Sequence, residues 1–591
     1  MFLRKTERRK DGKTHLYWSV VENRRLDSGR VVQRYVLYLG EINSSQAEAW
    51  RRAIEVFDED AGAPRSLSLF SDERCDLPAA DASIVRLRLG EMRLCRPRQW
   101  GACWLAGVLW RELQLDRFWA DRLPGSRKGT RWADVLQVLA TYRLISPGSE
   151  WRLHRQWFLD SAMADLLVAD FGLAEAHKLY ACHDKLIAHK QALFSHLTQR
   201  WRDLFNASFD VLLYDLTSTY FEVNASDLPE GSKRRHGYSR DKRPDCPQLV
   251  IALLVTPEGL PLAYEVLPGN TADSKTLRSF LEKIESQYGK ARRVWVMDRG
   301  VPTEEVLAEM RASDPPVRYL VGTPKGRLTR LEKQLLDKPW RKAREGVEVK
   351  LLAQDEELYV LAQSADRVSK ERAMRRRQLK WLWARLKKLA EMDVSREERL
   401  MKLGAARSKA PCAWRLVKTE VDKTGALTYA LDRDKLRKIR RREGRYLLRT
   451  NMTDDDPAKL WQYYIQLVAV EEAFRNLKGD LAIRPVFHKC EKRIEAHIFV
   501  AFLAYCLQIT LTRRLHSLAP GLTARSALAK FAALQMIDVH LPTTDGREIV
   551  LTRFTEPEPD LRLLIARMKL KLPAQPPPKI AAAALPAQHL L

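Results

Sequence analysis

Three acidic residues stand where acids are costly. Asp215 closes the apolar run Val211-Leu212-Leu213-Tyr214. Asp298 closes Val294-Trp295-Val296-Met297, and Glu471 lies in Tyr464–Lys478, a stretch with helical periodicity. A carboxylate at the end of a buried strand is unfavourable unless a cation meets it. Three of them converging would offer the oxygen ligands that Mg²⁺ takes. The chain carries a formal net charge of +27, so the substrate expected is a polyanion, and the chemistry expected is metal-assisted phosphoryl transfer on DNA. Two Mg²⁺ ions, with Mn²⁺ able to substitute, suit an in-line displacement: one activates the attacking oxygen and the other stabilises the leaving 3′ oxygen. Water as nucleophile gives strand cleavage, and a DNA 3′-hydroxyl gives strand transfer.

Each acid also has a plainer reading. Asp215 could be a turn acid bonded to Thr217 or Ser218, and Asp298 could pair with Arg299. Glu472 adjoins Glu471 as an alternative ligand. Tyr464, Glu471 and Lys478 recur at seven-residue steps, about two helical turns, so they share one stripe and favour Glu471. Leu467 falls on the same side, and Val468, Phe474 and Leu477 read as the packed face. Tyr464 and Lys478 would then flank the acid and touch phosphate or base.

The elements that must position these residues follow from composition and periodicity. With 591 residues and 45% hydrophobic content, a globular chain of several units is expected, not disorder. Lysine and arginine number 102 against 75 acids, and the excess is spread widely, which suits an extended DNA path or, more plainly, a soluble surface. The eight cysteines form no C-x-x-C pair, so neither a zinc site nor a disulfide framework is readable. The start MFLRKTERRK has no apolar core of a secretory signal, and the apolar stretch 496–511 is shorter than a membrane span, reading as a core helix. A cytoplasmic, nucleoid-associated protein with no membrane partner is expected.

Residues 1–60 read as a β-hairpin, turning at Asp27-Ser28-Gly29, plus a helix Ser44–Phe57. Residues 61–99 read as a linker, and 100–205 as a helical domain that either binds DNA ends or serves packing and dimerisation. Residues 206–327 follow the order β-β-β-α-β-α-β, which makes a mixed sheet with helices on it. If the first and fourth strands are neighbours, Asp215 and Asp298 emerge at one end of the sheet. Residues 328–444 read as an inserted strand and helix domain, whose basic helix 369–392 is either a solvated face or a DNA-contacting arm. Residues 445–515 carry the Glu471 helix, and 516–591 read as a helical region with a Pro- and Ala-rich tail.

At these residues the chain resembles a DDE transposase of the insertion-sequence-four superfamily, closest to its insertion-sequence-1634 group. The resemblance rests on Asp215-Leu216-Thr217-Ser218-Thr219, on His236-Gly237-Tyr238-Ser239-Arg240-Asp241-Lys242-Arg243-Pro244-Asp245, and on Gly269-Asn270-Thr271-Ala272-Asp273. It continues through Met297-Asp298-Arg299-Gly300, Val470–Lys478, Arg484-Pro485-Val486-Phe487-His488 and Arg493–Ile498. It implies an α/β fold: an RNase H-like mixed-sheet catalytic core interrupted by an inserted domain, with a helical N-terminal domain. It also implies a cut-and-paste enzyme that binds the terminal inverted repeats of its element, works as a homodimer on double-stranded DNA (transposon ends and target), and uses Asp215, Asp298 and Glu471 as catalytic metal ligands. The family's Tyr-x2-Arg-x3-Glu-x6-Lys motif maps onto Tyr464, Leu467, Glu471 and Lys478. Leucine replaces the arginine, so either Arg475, one turn beyond Glu471, substitutes for it or this group lacks that contact. Arg240, Lys242 and Arg243 in the loop, with Arg299, complete the DNA-contacting set; the plainer reading of that loop is a basic surface hairpin. The alternative function is a catalytically inactive or repurposed sequence-specific DNA-binding protein.

Overall fold

The computed structural model describes residues 2–10, 13–25, 31–41, 55–58, 63–66 and 87–582, the last span without 128, 224–227, 273–275, 289–292, 299–300, 324–330, 332–333, 336–337, 454–455, 485, 487 and 545. It divides into two compact units. One comprises Met1–Leu109, Glu150–Ala176 and Leu511–Leu591, and the other Trp110–Ser149 and His177–Thr510. The stretch 100–205, expected as one helical domain, is helical but is shared between the two.

In the first unit, β1 (Phe2–Lys10), β2 (Lys13–Arg25) and β3 (Val31–Glu41) pair antiparallel in chain order. The turn at Asp27-Ser28-Gly29 and residues 44–54 of the expected helix lie outside the described residues. The end of that helix is corrected: Glu55–Asp58 is strand β4, paired with β5 (Ala63–Ser66). Two further expectations are corrected together. Residues 93–99 of the expected linker form β6 (Arg93–Gln99), and the C-terminal region expected as helical also contributes strands. β6 pairs with Gln535–Pro542, which pairs with Arg547–Phe554, which pairs with Lys579–Ala582. The cause is charge hidden in pairs. Arg98, 1% exposed, donates to both carboxylate oxygens of Asp538 at 2.9 Å and lies 3.0 Å from Asp165. Arg93 and His540 both meet Glu548. Such residues make a strand look like loop to any hydropathy reading.

The second unit is built on a nine-stranded mixed sheet. β7 (Val211–Tyr220), β8 (Gln248–Val255) and β9 (Pro261–Pro268) form an antiparallel meander. The helix Leu277–Tyr288 leads to β10 (Val294–Met297), and the helix Glu304–Ala312 leads to β11 (Arg318–Gly322). β10 runs parallel to both β7 and β11. Every residue of β8 is buried, as a strand covered on both faces requires. The helix Lys190–Phe205 packs on β9, with the Trp201 indole donating to the Pro261 carbonyl at 3.0 Å.

The stretch 328–444, expected as an insertion, contributes differently along its length. β12 (Arg341–Arg344), β13 (Val347–Gln354) and β14 (Glu357–Ser364) continue the large sheet. Residues 365–444 gather around a small core of their own, in which Leu382, Leu386 and Leu389 of the helix Ala365–Ala390 meet Leu403, Val417 and Leu427. That segment includes the hairpin of β15 (Val417–Val421) and β16 (Leu427–Leu431). β17 (Arg445–Thr450) then returns between β14 and β11, giving the order β12-β13-β14-β17-β11-β10-β7-β8-β9.

A buried ionic cluster ties this extension to the sheet. Glu357 on β14 is 2% exposed and meets Arg311, Arg449 and the Tyr319 hydroxyl, while Arg449 also reaches Glu304 at 2.7 Å. Removing one partner leaves uncompensated buried charge. Glu357→Gln is expected to lower stability by about 3–5 kcal/mol, read as earlier hydrogen exchange in β14 and β17; unchanged protection there contradicts this assignment.

Candidate active site

Sheet register brings the first two acids together. In the parallel pair of β10 and β7, Val294 lies opposite Val211 and Met297 opposite Tyr214. The next residue on each strand is Asp298 and Asp215, so the two follow one another across strands about 5 Å apart. Asp215 does not end its strand, as the sequence suggested. β7 continues to Tyr220 against β8, with Asp215 opposite Leu253. The turn-acid reading of Asp215 is thereby corrected, because its carboxylate accepts from the backbone N–H of Leu216 within a strand.

The third acid arrives on the helix Leu467–Lys478, which packs on β7 and β8 through Val470, Ala473, Phe474 and Leu477. Val468, expected on that packed face, is 56% exposed. The helical stretch is not continuous. Pro457–Ile465 and Leu467–Lys478 are two helices joined by a one-residue turn at Gln466, whose backbone stays in the right-handed helical region (φ −70°, ψ −14°). Nothing in the sequence marks the break, since no proline or glycine stands there. Tyr464 instead packs with Trp461 and with Tyr446 of β17, at ring separations of 6.1 and 5.8 Å. Leu467 is buried.

The three carboxylates are electrostatically coupled. Burial is the main cause that pushes the Asp215 carboxyl up to about 7; the charges of Asp298 and Glu471 push it further, against the Leu216 N–H and the charge of Arg240. Asp215 is half-buried, whereas Asp298 and Glu471 are exposed. The donor set is oxygen only and holds an excess of negative charge, which is the chemistry a hard divalent cation relieves.

The cations are arranged unequally. Arg243 is bound at the surface by Glu222 at 2.9 Å and by Asp245, whose carboxyl it holds at about 2, and it lies over the Tyr220 ring. Arg475 pairs with Glu472 at 3.1 Å. Lys242 has a left-handed backbone (φ 60°). Arg240 donates its backbone N–H to Ser218 Oγ at 3.1 Å, three residues along β7 from Asp215. Arg299 lies outside the described residues. Lys478 is turned to Asp241 in the loop, at 3.0 and 3.2 Å, and Arg484 meets the same carboxylate at 3.1 Å. Sequence reasoning missed Asp241 and Arg484 as partners, although both lie in motifs it had singled out. The loop base is tight: a Cβ on Gly237 would fall 1.9 Å from the Gly269 carbonyl oxygen, which explains two glycines in separate motifs.

The remaining motif residues brace this frame. Glu495 joins Lys190 at 3.0 Å and Lys233 at 3.5 Å, and Arg143 donates to the Ala482 carbonyl at 3.0 Å. The apolar helix Glu491–Leu518 is long enough to cross a membrane, but 94% of its apolar window is buried, as befits a core helix.

A carboxyl raised on folding binds more protons in the folded than in the unfolded state between their two pKa values. Its stabilising contribution is complete below the unfolded pKa of about 3.9 and is lost as pH rises to about 7. Each pH unit in that window removes up to about 1.4 kcal/mol. In metal-free protein, Asp215→Asn is therefore expected to raise the melting temperature at pH 8 and to leave it unchanged at pH 3.5; no pH-dependent gain contradicts the assignment.

Residues 210–507 match a family model described as "Transposase DDE domain", and residues 3–63 match one described as "IS1634 family transposase, N-terminal domain". No curated protein matches the chain. Among solved structures, a piggyBac transposase synaptic complex with hairpin DNA is similar at 7% identity and a TM-score of 0.34, over 73% of this chain and 78% of that one.

Proposed function

Since the chain belongs to the DDE transposase family, in its insertion-sequence-1634 group, we propose that it cuts and rejoins DNA at the terminal inverted repeats of its own insertion sequence. Asp215, Asp298 and Glu471 are the catalytic metal ligands in this reading, and the sheet β9-β8-β7-β10-β11 with its helices is an RNase H-like core. The observation that carries the proposal is the raised Asp215 carboxyl beside two further acids, in a chain with formal net charge +27.

When bound, two Mg²⁺ or Mn²⁺ ions would supply Lewis-acid stabilisation of the attacking and leaving oxygens. The chain's own residues do the rest. The β7 and β10 backbones fix the spacing of the two aspartates, and the helix Leu467–Lys478, packed on β7 and β8, brings the third carboxylate. Asp215 would hold such an ion as its carboxylate, the form that its burial and acidic neighbours otherwise disfavour. Arg240, Lys478 and neighbouring cations meet the strand's phosphates and hold the scissile bond in line. The same donors serve cleavage and strand transfer, because only the attacking oxygen changes. The reaction runs on double-stranded DNA in the cytoplasm, at the nucleoid, with a homodimer pairing two transposon ends.

The test is cleavage of duplexes carrying the genomic flanks of this gene. With Mg²⁺ or Mn²⁺ the protein is expected to cut at short inverted repeats and to join the 3′ ends to a target duplex. Asp215→Asn, Asp298→Asn and Glu471→Gln are each expected to lower the rate on the order of 10³-fold or more while keeping DNA affinity. Cleavage unaffected by these changes contradicts the proposal; DNA binding without any cleavage by the wild type points to a repurposed binding protein.

A further inference from the structure

The loop that follows β7 carries a carboxylate with more cations around it than it can neutralise. Asp241 accepts from Lys478 Nζ at 3.0 and 3.2 Å and meets Arg484 at 3.1 Å. The three side chains are only 15%, 17% and 24% exposed, so this is a half-buried ion group and not a freely solvated surface pair. Arg240, next in sequence, adds its field, and Lys478 is held below the usual lysine range by burial and by the repulsion of Arg484 and Arg240, against the pull of Asp241. One carboxylate thus faces several positive charges in a poorly solvated place. Two other cations differ: Arg243 in the loop has two carboxylates to itself, and Arg475 on the helix has Glu472.

The location is as informative as the charge. Lys478 lies two turns beyond Glu471 on the same helix, and the loop is anchored to β7 through the Arg240 N–H and Ser218 Oγ. Arg484 is braced over the Tyr220 ring at 5.0 Å, which fixes its planar fork in advance. An ammonium two turns from Glu471 on its helix and a guanidinium, converging on two oxygens, reproduce the donor set that binds a phosphodiester.

We propose that Lys478 and Arg484 form a seat for one phosphate of the DNA strand that crosses the carboxylates, and that Asp241 occupies this seat as a placeholder in the DNA-free chain. The inference rests on the site acting on DNA, and it names a contact, Arg484, and an internal competitor, Asp241, for that strand. Without an anion the two half-buried cations would repel one another, so the placeholder keeps the seat assembled. An incoming phosphate takes over the same bonds, and the loop carrying Tyr238, 80% exposed, moves aside with Asp241.

Two measurements on the full chain decide it, neither requiring catalysis. First, Asp241→Ala vacates the seat. Its melting temperature is expected to fall and to recover with inorganic phosphate, on the order of 20 mM, by about 3 °C more than the wild type gains at matched ionic strength. Equal gains in both proteins overturn the proposal and leave a merely structural ion pair. Should Asp241→Ala fail to fold, Asp241→Asn carries the same comparison. Second, in EDTA, Asp241→Asn is expected to bind a random-sequence duplex roughly 5–10-fold more tightly than wild type. Glu230→Gln, an exposed acid of the same loop, controls for net charge and is expected to change affinity less than about twofold. The gain is expected to vanish when Lys478→Gln and Arg484→Gln are added. A gain no larger than that of Glu230→Gln, or one that persists without the two cations, overturns the proposal. If the wild type binds no duplex at all, the DNA-processing reading fails, and the phosphate arm still decides whether the seat exists.

Discussion

A half-buried carboxyl that cannot easily ionise governs this molecule. Asp215 lies inside a strand of a sheet covered on both faces, next to Asp298 and under the influence of Glu471. Water solvates it poorly and its neighbours repel its charge, so it titrates near neutrality. A fold that retains such an arrangement gives up stability at neutral pH that an asparagine would restore. In the proposed function the compensation is affinity for cations, which an enzyme acting on phosphodiesters needs. The sheet, the helix above it and the clamped loop all serve to keep three acids close despite their repulsion.

The surrounding charges follow the same logic. Cations far outnumber acids over the whole chain, yet near the site most are individually answered: Arg243 by Glu222 and Asp245, Arg475 by Glu472, Arg449 by Glu304 and Glu357. Pairing of this kind fixes side chains that would otherwise sample many rotamers, and it limits the places where a strand's phosphates find uncompensated positive charge. The group of Lys478, Arg484 and Asp241 stands out because its balance remains positive and its members are half-buried.

Much of this was legible in the sequence, and what was not has identifiable causes. The central strands and their order were readable because β7, β8 and β10 are unbroken apolar runs, and an acid ending such a run is conspicuous. The strands at 93–99, 535–542 and 547–554 were hidden, because Arg98, Asp538, Arg93 and Glu548 neutralise each other across strands distant in sequence. The break at Gln466 was invisible because aromatic packing of Tyr464 on Tyr446 accompanies it, not a helix-breaking residue. The seven-residue spacing from Tyr464 to Lys478 crosses that turn, and Tyr464 packs on Tyr446 and Trp461. Asp241 was overlooked among the arginines and lysines of its loop, since a lone acid in a basic run gives no sign that it is the one turned inward.

The most direct test of the account is where a divalent ion binds. Anomalous scattering from crystals of the full chain soaked in Mn²⁺ is expected to show manganese held by carboxylate oxygens of Asp215, Asp298 and Glu471, with the signal lost in Asp215→Asn. Manganese bound elsewhere, or at a site that keeps full occupancy without the Asp215 carboxylate, would contradict it.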